Sequence, residues 1–117
     1  MTWGKIYLHL KEYGVDVYSL GQHEGMCISP YLVLRDNGKI RKKSVEVAEF
    51  ELLLYYPTAQ YSEFSAYIDR IKEVMNVLYP ALTLIDDEQP HSLDDQVGAY
   101  MTSLIYRGAK VSKVNRI

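Results

Sequence analysis

The sequence predicts an α+β domain: a mainly antiparallel sheet with one long helix packed on one face and a short N-terminal helix beside it. Three observations carry this expectation. Residues 63–79 repeat apolar side chains at helical spacing, and residues 45–56 alternate at strand spacing. Between that strand and the apolar run before it stands Asp36-Asn37-Gly38, whose Asn-Gly step supplies the positive φ values of a tight turn.

The elements follow in order. Trp3, Ile6, Tyr7 and Leu10 lie on one face of a helix over Trp3–Tyr13, with Thr2 as N-cap and Gly14 as the left-handed stop. Val15 and Val17 alternate briefly before Gly21-Gln22-His23-Glu24-Gly25, which has loop chemistry. Cys27 to Arg35 reads as a strand that Pro30 confines to an edge or a late start. After the turn, Ala48, Phe50, Leu52, Leu54 and Tyr56 form the apolar face of a second strand, which Pro57 ends. Ser62 caps a helix over Glu63–Tyr79, stopped by Pro80, with Phe64, Tyr67, Ile68, Ile71, Val74, Met75 and Leu78 as its stripe. Ala81–Ile85 is a short strand and Asp86–Ser92 an acidic loop. Residues 97–106 fit either a helix or a strand; Gly98 and the frequent Thr, Tyr, Ile and Val favour the strand. One domain over 1–110 is expected, followed by a flexible basic tail over 111–117.

Composition narrows the class. The chain has 117 residues, a formal charge of −2 and 48% hydrophobic residues, enough for one core without staples. Its longest apolar run, Leu52–Tyr56, is far short of the roughly 18 residues that span a bilayer, so no membrane partner is expected. A single cysteine, Cys27, makes neither an internal disulfide nor a multi-cysteine metal site, and its apolar neighbours Met26 and Ile28 suggest burial. Eleven tyrosines stand against two phenylalanines and one tryptophan. Tyrosine is amphipathic and enriched at interfaces, so they read either as the rim of a small core or as faces that dock copies of the chain.

The sequence points away from catalysis. His9, His23 and His91 are far apart, and none has ligand spacing to a second histidine or cysteine. Gly21-x-x-x-Gly25 lacks the Gly-Lys-Ser/Thr of a phosphate loop, and the acids of 86–95 lack the alternation of a calcium loop. The expectation is a protein with no cofactor, no metal and no enzymatic activity. A convergence of His9 with Asp16, or of His91 with Asp95, is the arrangement that favours an enzyme instead.

The distribution of charge is more telling than its total. Arg35, Lys39, Arg41, Lys42 and Lys43 surround the first turn, against a lone Asp36. Asp86, Asp87, Glu88, Asp94 and Asp95 make a remote acidic segment. These ten residues are the candidate subunit interface, since a basic patch on one copy can meet an acidic patch on the next in a head-to-tail contact that closes into a ring. The alternative is two solvated extremities. Basic groups facing a central hole could also touch passing DNA through its phosphates.

The order of segments carries a resemblance. A short helix precedes Pro30-Tyr31-Leu32-Val33-Leu34 and a charged turn; then come Phe50-Glu51-Leu52-Leu53-Leu54-Tyr55-Tyr56-Pro57, a helix opened by Tyr61-Ser62-Glu63-Phe64, and Tyr100-Met101-Thr102-Ser103-Leu104-Ile105-Tyr106-Arg107. Over about residues 1–110 this pattern resembles the small neck and tail-completion proteins of tailed bacteriophages and prophages, the tail terminators in particular. The resemblance implies a virion protein assembled in the bacterial host cytoplasm. Copies form a hexameric ring at the head-proximal end of the tail tube, with the tube protein and the head connector or stopper as partners. A tail lumen is commonly acidic, so the basic segment 39–43 suits a subunit contact better than a lining. A head-completion or stopper protein shares these features, and a small dimeric intracellular adaptor is the reading that needs no ring.

Overall fold

The structure, a computed structural model, describes residues 1–111. In chain order it contains α1 (Trp3–Glu12), β1 (Val17–Tyr18), β2 (Tyr31–Lys42), β3 (Val45–Pro57), α2 (Tyr61–Asn76), β4 (Thr83–Asp86), β5 (Ser92–Asp94) and β6 (Ala99–Val111). The strands form one six-stranded sheet in the order β1-β2-β3-β6-β4, with β5 also against β6. All pairings are antiparallel except β1 with β2, so the sheet is mixed. The α+β class and the long and short helices agree with the sequence, and of the 97–106 segment residues 99–106 are strand, after a turn at Val97-Gly98. The tail expected over 111–117 begins with Val111 still paired to Val45; residues 112–117 lie outside the described residues.

Both helices lie on one face of the sheet. Ile6 and Leu10 of α1 join Phe64, Ile68, Ile71, Val74 and Met75 of α2 in the main core. The sheet contributes Leu32, Leu34, Ala48, Phe50, Leu52, Leu54, Leu104 and Tyr106 to it. The alternation of β3 therefore faces the way the sequence implied. Three polar contacts fix the helices in place: the Trp3 indole N–H donates to the Leu34 carbonyl of the sheet at 2.8 Å, and between the helices His9 Nε2 donates to the Val74 carbonyl at 2.7 Å and Arg70 to the Tyr13 carbonyl at 2.7 Å. The last of these satisfies a carbonyl at the end of α1, where helices leave acceptors unpaired. His9 is thus a bracket between helices and forms no hydrogen bond or ion pair with Asp16.

The opposite face carries a smaller core of Cys27, Tyr31, Val33 and Ala99. The connection from β1 to β2 crosses this face, and the Cys27 N–H donates to the Val97 carbonyl at 2.7 Å. Cys27 is buried as expected, and desolvation pushes its thiol up to about 11. The tyrosines mostly serve these two cores. Tyr31 and Tyr106 are buried, and only Tyr13, Tyr61 and Tyr79 are counted among the exposed large apolar side chains.

Several boundaries differ from expectation, the strand expected over 81–85 running from Thr83 to Asp86 among them. The helix expected over 63–79 runs from Tyr61 to Asn76, with Gln60 and not Ser62 at its N-cap. Its end tightens early, because the Leu78 and Tyr79 N–H groups bond carbonyls three residues back. The strand expected over 27–35 starts only after Pro30 and continues to Lys42. Above all, Asp36-Asn37-Gly38 is not the hairpin turn. Asp36 pairs with Phe50 and Lys39 with Ala48, so Asn37 and Gly38 together oppose Glu49 in a β-bulge. Gly38 adopts φ +94°, the freedom a bulge needs, and the Gly38 N–H bonds the Asp36 carboxylate at 2.8 Å. The chain reverses instead at Lys43-Ser44, where Lys43 takes φ 52°.

The displaced turn lengthens the hairpin. Strands β2 and β3 have 12 and 13 residues, about twice the usual 5–6. Residues 39–47, with the end of β6, run beyond the helices as a three-stranded arm on which no described side chain is buried. The molecule measures 57 × 27 × 25 Å with a radius of gyration of 15.5 Å, where a compact chain of this length has about 13 Å.

Candidate functional site

The arm is where the fold gathers the basic residues, and β2 and β3 set the position of each. Arg35 lies before the bulge, exposed and in register with Glu51. Lys39 and Arg41 lie beyond it, and both reach Glu46 on β3, at 3.7 and 2.8 Å. Two cations thus share one carboxylate. Lys42 pairs with Val45 in the backbone ladder, while its side chain lies outside the described residues. Lys43 stands exposed in the turn. Ile40 and Val45 add exposed apolar surface to the same arm.

The acids do not form the single segment expected, because β5 divides them. Asp86, at the end of β4, opposes Ile105, whereas Asp94 opposes Ala99 six positions away along β6, a separation of about 20 Å. Asp87 and Glu88 are held to α2 by the Lys72 ammonium, at 2.6 and 3.8 Å. That ammonium, and next the Glu88 backbone N–H, hold the Asp87 carboxyl below its ordinary value. Asp94 accepts from the Gln96 N–H at 3.0 Å, and Asp95 is exposed. Of the ten candidates, Arg35, Lys43, Asp86, Asp94 and Asp95 have no ionic partner among the described residues.

Sequence reasoning missed a polar network on the face of the sheet away from the helices. Arg107 Nε donates to Glu49 Oε1 at 2.8 Å, and the Asn37 amide donates to Glu49 Oε2 at 2.9 Å. The Asn37 hydrogen bond, followed by that of Arg107, holds the Glu49 carboxyl below its ordinary value. Asn37 reaches Glu49 only because the bulge places it there, so the network ties three strands together at the root of the arm. Beside it Gly38, Ile40 and Val47 help line a groove of about 380 Å³. The one signal in the sequence was the recurrence of glutamate on the polar face of β3.

A second missed constellation joins the acidic loop to the start of α2. His91 bonds Glu88 through Nε2 and the Tyr61 hydroxyl through Nδ1, the latter at 2.7 Å. The carboxylate can only accept, so Nε2 donates to it, and in the neutral form of the ring Nδ1 accepts from the Tyr61 hydroxyl. His91 therefore meets Glu88 and not Asp95. Its ring also packs on Phe64 and lies edge-on to Tyr61, and these contacts anchor the loop to the core. None of the three residues lines the groove at the arm.

The third aromatic group stacks His23 on Tyr31 at 3.7 Å and Tyr31 on Tyr55 at 4.8 Å, with Tyr18 edge-on. Burial pushes the Tyr31 hydroxyl up to about 12. Among the described residues no group of three or more His, Cys, Asp and Glu side chains is placed to hold a metal ion, and no helix is long and apolar enough to cross a membrane.

No family model matches the chain, and neither does any curated protein.

Proposed function

We propose that this chain is a structural protein that works by self-assembly: a tail-terminator-like virion component whose copies close into a ring on the end of a phage tail tube. The observation that carries the reading is the arm. It places β2, β3 and β6 beyond the helical layer, leaves strand edges open and puts charged and apolar side chains where another copy can meet them. An extended ribbon of this kind adds nothing to the chain's own core. Open strand edges are a liability unless something covers them. The element order is also compatible with the pattern that suggested the tail terminators. In this reading the ring is hexameric, forms in the bacterial host cytoplasm, and joins the tube protein to the head connector. Its basic arms lie between subunits, with passing DNA touched at most through its phosphates.

Native mass spectrometry of the purified chain over a wide concentration range, with negative-stain imaging of the largest species, tests the proposal. A six-fold ring with a central hole is the expected result. A dimer at every concentration contradicts it and favours an adaptor with a two-fold interface.

A further inference from the structure

We infer that successive copies join by continuing the sheet, the outer edge of β2 on one copy pairing antiparallel with the outer edge of β4 on the next. The inference rests on the self-assembly proposed above and names the surfaces that meet.

The two ends of the sheet are unlike. Strand β1 covers β2 only at Leu32 and Val33, and the Trp3 indole closes the next carbonyl, that of Leu34. From Asp36 to Lys42 the outer edge of β2 has no neighbouring strand among the described residues. At the other end the sheet stops at β4, where Thr83, Ile85 and Asp86 are exposed. Both edges present unpaired backbone groups, the template on which another strand adds.

Charge decides which edges meet. The β2 edge carries Arg35, Lys39 and Arg41 against Asp36, with Lys43 in the turn beyond, and its two paired cations share one glutamate, so the edge stays positive. Two β2 edges placed together would oppose like charges, which is destabilising across strands. The β4 edge carries Asp86 and leads into Asp87 and Glu88, which share the single Lys72. A positive edge thus faces a negative one, in a heterologous contact that a rotation can repeat. Direction fits as well. Strand β2 is antiparallel to β3, β3 to β6 and β6 to β4, so β2 and β4 run in opposite senses within one copy. Lateral repetition without inversion sets them antiparallel.

Face-sharing names the side chains. Arg35 is in register with Glu51, Glu51 with Ile105, and Ile105 with Asp86, so Arg35 and Asp86 project from the same face. Both are exposed, and neither has an ionic partner among the described residues. They are the pair expected to bridge the junction.

Charge reversal tests it. Arg35→Glu and Asp86→Arg are made singly and together in the full chain. Self-association is read by sedimentation velocity, and circular dichroism reports the fold. Each single reversal is expected to weaken association about tenfold, as loss of roughly 1.4 kcal/mol implies. The double reversal is expected to restore it to within about threefold of the parent chain. Association that ignores both single reversals, or singles that the double fails to rescue, overturns the edge pairing while leaving self-assembly standing. A parent chain that stays monomeric at every concentration overturns both. Neither side chain is buried, so loss of association with an unchanged spectrum is a surface effect.

Discussion

Ile71 sits at the middle of the helical stripe with no exposed surface, among Phe64, Ile68, Val74 and Met75. Its truncation, Ile71→Ala, is expected to cost about 2–5 kcal/mol, the sum of lost transfer energy and an unfilled cavity. Urea denaturation of the variant checks this, and a cost near zero would mean that the stripe does not face the core. At this scale the sequence was most informative where one face decides everything. Spacing alone picked out the buried residues of α2 and β3. It said little about the side chains whose partners are remote in sequence. His9 bonds a carbonyl 65 positions away, and His91 bonds a tyrosine 30 positions away. No local pattern encodes those distances. The tyrosine count was likewise open to two readings, because composition does not say which rings stack on one another.

Among elements, the hairpin shows where local chemistry misleads. Asn-Gly is the usual two-residue turn, yet here the same freedom of φ is spent on a bulge inside a longer strand. Pairing of β3 along β6 overrides the local preference, since β6 continues in register with Val45, Glu46 and Val47. The bulge in turn brings Asn37 to Glu49, which no spacing rule would suggest. These contacts give the arm and the acidic loop a pH dependence. Glu49 and Asp87 titrate lower in the folded chain than in the unfolded one. Acid therefore protonates the unfolded chain first. The stabilisation is complete above the ordinary carboxylate range and is lost as pH falls through the folded values. Urea midpoints measured from about pH 6 to about pH 3 are expected to fall, and the fall should be shallower in a Glu49→Gln, Asp87→Asn double variant. An equal slope in both chains would show that these two carboxylates carry none of it.

For the whole molecule, the sequence conveyed the class, the helical layer and the presence of two opposed charge clusters. It did not convey that the acids divide between the start and the middle of β6, or that Lys72 and Glu46 neutralise part of each cluster. Those are facts of topology, fixed only when the strand order is known. What topology adds is an elongated body with one basic and one acidic open edge, a shape suited to repetition. The most direct measurement of that claim is amide hydrogen exchange as a function of protein concentration. The account predicts that residues 36–42 and 83–86 exchange more slowly as concentration rises, while the amides of α1 and α2 do not change. Exchange at both edges that is independent of concentration, in a chain that does associate, would contradict it and place the assembly surface elsewhere on the molecule.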